Sequence, residues 1–315
     1  MKAKKIDVFA LASLIISAAF AVTAWAQQAD LSKVELRVTK VTDNIYMLST
    51  PAAGNIGVSI GDDGVAIIDD QFAPLAPKIR AAIALLSDKP IRFVINTHWH
   101  GDHTGANESF AGTGAVIVAQ GNVRKRMSAK QIGSLSGRET PASPAAALPI
   151  VTFTESASLH YNGDDLEVTH LPAAHTDGDV VIRWRTANVL HMGDNFFVGD
   201  YPFIDNNSGG TYNGMIAAVE WALASVDNDT RIMPGHGPLS NKKGLQEFHD
   251  MMVTVRERIL KMIKQKKTLE QVVAAKPTAD FDAKWAGSFW KPDQWVGRVY
   301  VDLRRTVTSS MKGAN

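Results

Sequence analysis

An α/β fold is predicted for this 315-residue chain by three observations. Short apolar runs, separated by turns rich in Gly, Asn and Asp, alternate with segments of helical periodicity. This alternation occurs twice, once on each side of a segment at 133–149 that is rich in Gly, Ser and Pro. Hydrophobic residues make up 45% of the chain and charged residues 21%, which is typical of a globular protein with a large core.

The first half of the chain is predicted to contain more strands than helices. Apolar runs bounded by turn residues predict its strands, at 34–41, 44–49, 56–60, 65–69, 91–96 and 115–119. Helical spacing of apolar residues predicts its helices, at 77–86 and 122–131. The segment at 133–149 holds Pro141, Pro144 and Pro149, and we expect it to form a loop or flap.

The second half repeats this pattern and then becomes helical. Its predicted strands are 150–154, 157–161, 165–170, 179–185, 188–192 and 231–233, with a helix at 211–225. A long amphipathic helix is predicted at 241–267, and Thr268 to Gln271 resembles a capping box that starts another. An aromatic run within 281–305, made of Trp285, Phe289, Trp290, Trp295 and Tyr300, predicts a core that seals these helices onto the sheets; the alternative is a substrate mouth.

The N-terminus has the pattern of a secretory signal. Three lysines, Lys2, Lys4 and Lys5, precede an apolar run at 8–22, and Ala24-Trp25-Ala26 is a small-x-small cleavage site before Gln27. An uncleaved membrane anchor is the alternative, but the run is short for a span of about 20 residues. We therefore expect a secreted protein, periplasmic if the source is Gram-negative, without a membrane partner after cleavage.

Composition excludes several kinds of function. The chain has no cysteine, which rules out a thiol nucleophile, a disulfide framework and a Cys-ligated zinc. Its formal charge is +1, and removal of residues 1–26 with their net charge of +2 leaves about −1. No basic stripe is present, so we expect no nucleic-acid partner and a small-molecule substrate instead. The sequence does not indicate an oligomeric state.

A dense cluster of potential metal ligands follows the predicted strand at 91–96. His98, His100, Asp102 and His103 lie within six consecutive residues. Side chains alternate along an extended segment, so His98 and His100 point the same way, and the turn at Gly101 directs Asp102 and His103 toward a second position. Imidazole and carboxylate are ordinary ligands of Zn²⁺. A chance cluster in a polar loop is the alternative, and this spacing at a strand end makes it the weaker one.

This run resembles the His-x-His-x-Asp-His signature of the metallo-β-lactamase superfamily, and further matches follow in the family's order between about residues 44 and 238. His175 lies in Pro-Ala-Ala-His-Thr-Asp-Gly-Asp, Asp194 in His-Met-Gly-Asp and His236 in Met-Pro-Gly-His-Gly. Upstream, Val65 to Asp69 resembles the strand that ends in an Asp behind the ligands. The resemblance implies a four-layer αββα sandwich at 27–240, and we expect 241–315 to be a C-terminal helical extension packed on that domain.

The resemblance also implies a site for two Zn²⁺ ions per chain. His98, His100 and His175 would hold one ion, Asp102, His103 and His236 the other, and Asp194 would bridge them. We assign catalytic roles to Asp102 and His236, and expect Asp69 to orient a ligating imidazole. Paired zinc ions lower the pKa of bound water toward about 7, which predicts attack by a bridging hydroxide.

These features predict an exported di-zinc hydrolase that cleaves a β-lactam, lactone, ester or thioester. Exported lactamases of the family often carry Cys where this chain has Asp194, whereas the Asp pattern resembles glyoxalase II hydrolases and acyl-homoserine lactonases. A glyoxalase II would have His where this chain has Asp179, so the substrate stays open. Two alternatives remain: an iron-dependent oxidoreductase similar to persulfide dioxygenases, and a non-catalytic periplasmic binding protein.

Overall fold

The computed structural model describes residues 31–312, except 134–136, 138 and 288. The predicted signal peptide at 1–26 lies outside the described residues. The strands are β1 (Arg37–Lys40), β2 (Ile45–Thr50), β3 (Ala53–Gly61), β4 (Gly64–Ile68), β5 (Ile91–Ile95), β6 (Val116–Gln120), β7 (Gln131–Ile132), β8 (Glu139–Thr140), β9 (Val151–Phe153), β10 (Ser156–Tyr161), β11 (Asp164–His170), β12 (Val180–Trp184), β13 (Val189–His191), β14 (Arg231–Met233) and β15 (Ser240–Asn241). The α-helices are α1 (Ala76–Ala84), α2 (Gly101–Thr104), α3 (Asn107–Ala111), α4 (Gly121–Met127), α5 (Tyr212–Ser225), α6 (Lys242–Lys264), α7 (Leu269–Ala274), α8 (Asp282–Trp285) and α9 (Pro292–Lys312). Across this part of the chain, no helix combines the length and apolarity needed to cross a bilayer.

Two mixed sheets organise the fold. One has seven strands in the order β1-β2-β3-β4-β5-β6-β9, and the other has six in the order β10-β11-β12-β13-β14-β15. Among the described strands, the parallel pairs are β4 with β5, β5 with β6 and β6 with β9 in the first sheet, and β13 with β14 in the second. The short β7–β8 hairpin stands apart from both sheets, and its second strand lies within the predicted flap.

Three buried clusters show how the layers are stacked. The middle cluster joins the sheets, with Ile68 of β4 and Ile95 of β5 packed among residues such as Leu166 of β11 and Trp184 of β12. A second cluster packs α1 and α3 on the outer face of the first sheet. A third packs α5, α6 and α9 on the outer face of the second sheet. Because each sheet buries one face on the other and one on helices, the predicted four-layer αββα sandwich is confirmed.

The aromatic residues at 281–305 have two different environments. Trp285, Trp290, Trp295 and Tyr300 are buried with the α5–α6–α9 cluster, as the predicted aromatic core requires. Phe289 is 54% exposed and lines a cavity. This segment therefore contributes both to the hydrophobic core and to the lining of the cavity.

The helix predicted at 122–131 is shorter in the structure. It ends at Met127, and Ser128 donates its backbone N–H to the carbonyl of Arg124. Gln131 and Ile132 instead pair with Thr140 and Glu139 in the β7–β8 hairpin. Helical spacing could not reveal this pairing, since the partner strand lies beyond the flap's glycines.

Candidate metal centre

The cluster of candidate ligands is built where strands of both sheets end. His98 and His100 follow β5, and the one-turn helix α2 presents Asp102 and His103. His175 lies in the loop between β11 and β12, Asp194 follows β13 and His236 follows β14. The structure therefore brings all seven predicted ligands to one edge of the sandwich, although they are spread over 139 residues of sequence.

The first group contains the three imidazoles expected to share one ion. His100 Nδ1 lies 3.1 Å from His98 Nε2 and 2.8 Å from His175 Nε2. Asp194 Oδ2 lies 3.4 Å from His175 Nε2, and each of the four residues offers an atom within 4.8 Å of the others. These atoms surround a single position.

The second group contains Asp102, His103 and His236. Asp102 Oδ2 lies 3.4 Å from His103 Nε2 and 3.3 Å from His236 Nε2. The other oxygen of Asp194, Oδ1, lies 3.2 Å from His103 Nε2 and 3.4 Å from His236 Nε2. Each oxygen of Asp194 thus faces a different group, which is the arrangement required of a bridging ligand.

Hydrogen bonds at the far side of four rings fix which nitrogen is free. His175 Nδ1 donates to the carbonyl of Phe203 at 2.7 Å, and His100 Nε2 donates to Asp205 Oδ2 at 3.0 Å. His103 Nδ1 donates to Asp69 Oδ2 at 2.8 Å, and His98 Nδ1 donates to the hydroxyl of the preceding threonine at 3.0 Å. When neutral, each of these imidazoles carries its one N–H on the far side, so the nitrogen facing the cluster then offers a lone pair.

Asp69 supports both groups from behind. Its carboxylate accepts hydrogen bonds from the backbone N–H and the hydroxyl of Thr97, each at 2.7 Å, in addition to that from His103. The Thr97 hydroxyl in turn accepts from His98, so one buried carboxylate orients a ligand of each group. Asp69 has a φ of 64°, in the left-handed region that Asp tolerates better than most residues.

The donor set fits metal ions. His103 Nε2 and Asp194 Oδ1 are buried, and neither has a hydrogen-bond partner within the described residues. A buried polar atom without a partner destabilises the folded state. The lone pairs of His98 Nε2 and His100 Nδ1, which lie 3.1 Å apart, also repel each other. A cation removes both costs, and nitrogen with carboxylate oxygen is a donor set that zinc and iron accept.

The protonation states in the first group also suit a cation. Burial, together with nearby imidazoles, lowers the pKa of His175 to about 4 and holds that of His98 well below its usual value. Burial works against ionisation of Asp194, but His103, His236 and the other imidazoles keep the pKa of that carboxyl well below its usual range. The first group therefore holds two neutral imidazoles, those of His98 and His175, beside an ionised carboxylate.

Positive charge is favoured in the second group. Burial works against protonation of His236, but Asp194 and Asp102 raise the pKa of its imidazole to about 10. The pKa of His103 is raised for the same reason, with Asp194, Asp102 and Asp69 outweighing its burial. Without a metal ion, a proton satisfies this demand for positive charge; a metal cation satisfies it as well.

Two glycines allow the close approach of backbone to the ligands. A Cβ on Gly54 would lie 2.1 Å from Cε1 of His103, and a Cβ on Gly235 would lie 2.1 Å from Oδ1 of Asp194. Any larger residue at either position would displace a ligand. These glycines are therefore part of the site.

A cavity of about 660 Å³ opens over the cluster. Asp102 and His236 are the most exposed of the seven ligands, with 26% and 32% of their side chains accessible, and both line it. Aromatic rings border the ligands: Phe203 stacks on His100 with 5.7 Å between centroids, and Phe197 stacks on His236 at 5.4 Å. The site is thus a metal-type cluster at the base of a partly apolar cavity.

Sequence reasoning missed the residue that orients His100. Asp205 is buried and also accepts hydrogen bonds from the hydroxyl and backbone N–H of Ser208. In the sequence, an Asp before Asn-Asn-Ser indicates only a capped turn, and Asp205 does cap one. No spacing rule relates it to His100, 105 residues earlier.

Comparison with known proteins gives a consistent assignment. Residues 49–236 match the metallo-beta-lactamase superfamily. A hydroxyacylglutathione hydrolase from Polaromonas sp. is 27% identical over 189 residues, which are 59% of this chain and 63% of that protein. A metallo-beta-lactamase type 2 from Bacteroides fragilis is 22% identical over 71% of this chain and 88% of its own length. The chain thus spans less than two thirds of the hydroxyacylglutathione hydrolase.

Solved structures share the fold at low sequence identity. A stereoselective inverting sec-alkylsulfatase from Pseudomonas sp. aligns with a TM-score of 0.65 and 17% identity, covering 84% of this chain and 50% of that one. A metallo-beta-lactamase from Pontibacter korlensis aligns with a TM-score of 0.56 and 18% identity, covering 70% and 99%. With the match over residues 49–236, the αββα layers and the His/Asp cluster at the strand ends, this chain belongs to the metallo-beta-lactamase superfamily.

Proposed function

We propose that the protein is an exported di-zinc hydrolase that cleaves lactones, esters or thioesters, and β-lactams more slowly. The observation that carries this proposal is the position of Asp194, whose two oxygens face two separate groups of ligands. A structural zinc site closes around one ion with four protein ligands. Two adjoining groups at the base of an open cavity are instead typical of paired-metal hydrolytic sites.

In this proposal, the residues of the cluster have separate roles in metal binding and in proton transfer. His98, His100 and His175, with Asp194, hold one zinc ion, and Asp102, His103 and His236 hold the other. Bound zinc supplies a Lewis acid for the scissile carbonyl and activates water at neutral pH. Asp102 and His236 border the cavity, so of the seven ligands they would lie nearest to the reacting carbonyl, and the carboxylate of Asp102, with its second oxygen, would be placed to accept a proton.

The names of related proteins support hydrolysis as the reaction. Two relatives are hydroxyacylglutathione hydrolases and another is a metallo-beta-lactamase. A 2,4-dinitroanisole O-demethylase subunit is also related, at 24% identity, so the family is not limited to one kind of bond. The substrate must therefore be found by direct comparison.

The test combines metal analysis with a panel of substrates. We expect the purified protein to contain about two zinc ions per chain, to lose hydrolysis on dialysis against a chelator, and to regain it with Zn²⁺. The panel holds a lactone, a thioester, an aryl ester, a secondary alkyl sulfate, a penicillin and a carbapenem. His100→Ala should abolish turnover, while His249→Ala, which alters a surface histidine on α6, should not.

Two results would favour another function. One iron per chain, with no hydrolysis after zinc reconstitution, would indicate the oxidoreductase alternative. Full zinc loading with no turnover of any panel member and tight binding of one of them would indicate a binding protein.

A further inference from the structure

A line of aromatic rings runs from a ligand of the cluster to the protein surface. The Phe203 ring lies 5.7 Å from the ring of His100, and the Phe289 ring lies 6.2 Å from Phe203. Both phenylalanines line the cavity, and Phe289 is the more exposed of the two. One wall of the cavity is therefore apolar from the ligands outward.

Contacts behind the two rings hold this wall in place. The backbone carbonyl of Phe203 accepts the hydrogen bond from His175, which ties the ring's position to the ligands. Phe289 packs edge-on against the buried Trp290, with 5.2 Å between ring centroids, and its backbone N–H donates to Asp200 Oδ1 at 3.4 Å. Phe203 and Phe289 line the same cavity, and a cavity lined by aromatic rings with a few polar groups is typical of a ligand-binding site.

The charges along the cavity restrict what this wall can bind. Apart from imidazoles, the charged side chains among the described lining residues are all aspartates: Asp102, Asp194, Asp200 and Asp205. Asp200 lies beside the exposed Phe289, from whose backbone N–H it accepts a hydrogen bond. A carboxylate at the far end of a substrate would meet this like charge, whereas a methyl group would not.

We propose that the Phe203–Phe289 wall is a subsite for an uncharged, extended apolar chain attached to the reacting group. The substrate class is thus a medium-chain acyl ester, thioester or lactone with no charge at its distal end. This inference rests on the proposed hydrolase function.

Chain-length preference tests the subsite. For the zinc-loaded protein, we expect kcat/KM to be at least about tenfold higher for p-nitrophenyl octanoate than for p-nitrophenyl acetate, since each added methylene gains apolar contact. Phe289→Ala should lower this octanoate-to-acetate ratio about tenfold, and Phe289→Leu should keep most of it. Leu85→Ala is the matched control, because Leu85 is an 88% exposed apolar residue at the end of α1. An equal ratio in wild type and Phe289→Ala would overturn the proposal.

A pair of substrates of equal length tests the charge. We expect p-nitrophenyl pentanoate to be hydrolysed at least about tenfold faster than the p-nitrophenyl monoester of glutarate, which ends in a carboxylate. Asp200→Asn should narrow this difference several-fold without reversing the chain-length preference. Faster hydrolysis of the glutarate ester by wild type would overturn the uncharged distal end.

A binding measurement separates failure of this inference from failure of the proposed function. By calorimetry, the zinc-loaded protein should bind octanamide, bind acetamide too weakly to detect, and lose about tenfold in octanamide affinity on Phe289→Ala. This result supports the subsite even if none of the esters is hydrolysed. Hydrolysis without chain-length preference, and without octanamide binding, would refute the subsite and leave the hydrolase proposal intact.

Discussion

Asp194 is the residue on which both groups of ligands depend. It is buried, and each of its carboxylate oxygens lies within 3.4 Å of imidazole nitrogens in a different group. A substitution at this position therefore changes both groups at once. Its effect should depend on whether the new side chain offers two donor atoms or one.

Asp194→Asn keeps the shape but removes the negative charge, so zinc at the second group should be held more weakly. We expect kcat/KM on the preferred lactone or thioester to fall at least about 100-fold. Asp194→Cys offers one soft donor instead of two oxygens and should shift the ratio of β-lactam to lactone hydrolysis toward β-lactams. Steady-state kinetics of the three proteins on a penicillin, a lactone and a thioester measure this ratio. Wild-type preference for the penicillin over both others would contradict our assignment of Asp194.

Asp179, close to the ligand loop of His175, gives a prediction about pH. Burial raises the pKa of its carboxyl from 3.8 to about 8, against hydrogen bonds from Thr176. The folded state therefore binds a proton more tightly than the unfolded state. The stability that Asp179 contributes is present below about pH 4 and is lost as pH rises to about 8, by at most about 1.4 kcal/mol per pH unit.

Comparison with Asp179→Asn isolates this effect from the titration of other groups. The free energy of unfolding of wild type minus that of the variant, from urea titrations of zinc-loaded protein, should decrease between pH 5 and 8. A difference that rises over this range would mean that Asp179 is ionised in the fold and held by Thr176.

At the scale of elements, the segment between β13 and α5 builds much of the site. It supplies Asp194, the rings of Phe197 and Phe203, and Asp205, which orients His100. The C-terminal helix α9 holds the end of this segment. Asp302 accepts a hydrogen bond from the side chain of Asn206 at 2.8 Å and one from the backbone N–H of Tyr212 at 2.7 Å.

Asp302→Ala should therefore loosen the support of His100 from a distance. It leaves the buried backbone N–H of Tyr212 and the partly buried amide of Asn206 without their acceptor, so we expect a loss of about 1–3 kcal/mol in the free energy of unfolding. Zinc affinity, measured by competition with a chromogenic chelator, should fall in the same direction as for Asp205→Asn, which alters the contact with His100 itself.

Asp280→Ala serves as the control for Asp302→Ala. Asp280 forms an exposed ion pair with Arg258, worth less than about 1 kcal/mol. Zinc affinity should stay at the wild-type value in this variant. Unchanged zinc affinity in Asp302→Ala as well would mean that α9 supports the fold but not the site.

Many strands and the ligands could be predicted from the sequence, whereas some of the residues that hydrogen-bond to the ligands could not. Strands such as β4 and β5 were predictable because they are short apolar runs between turns, and the ligands because they follow such strands in a characteristic spacing. Asp205 and the carbonyl of Phe203 were not predictable, because they reach the imidazoles only through tertiary packing. The β7–β8 hairpin was missed because its strands have two residues each.

At the scale of the whole molecule, the first 26 residues give a separate prediction. The lysines, the apolar run and Ala24-Trp25-Ala26 favour export and cleavage, so the mature protein should begin at Gln27. N-terminal sequencing of protein from the periplasmic or secreted fraction measures this directly. An intact Met1 on protein recovered from the membrane fraction would indicate an anchor instead.

The ligands come from both halves of the sandwich. His98, His100, Asp102 and His103 belong to the half with β5, whereas His175, Asp194 and His236 belong to the half with β11, β13 and β14. Neither half alone offers a complete group, so an ion can be bound only after the two sheets have packed together.

Bound metal would therefore hold the two halves together, and the concentration of free metal would set how firmly they are held. Tight binding to the folded chain alone adds about 2.7 kcal/mol of stability when free metal is 100 times its dissociation constant. Scarcity of the ion would then cost the protein its resistance to unfolding and proteolysis along with its chemistry. Its lifetime in the surrounding medium would follow the local supply of metal.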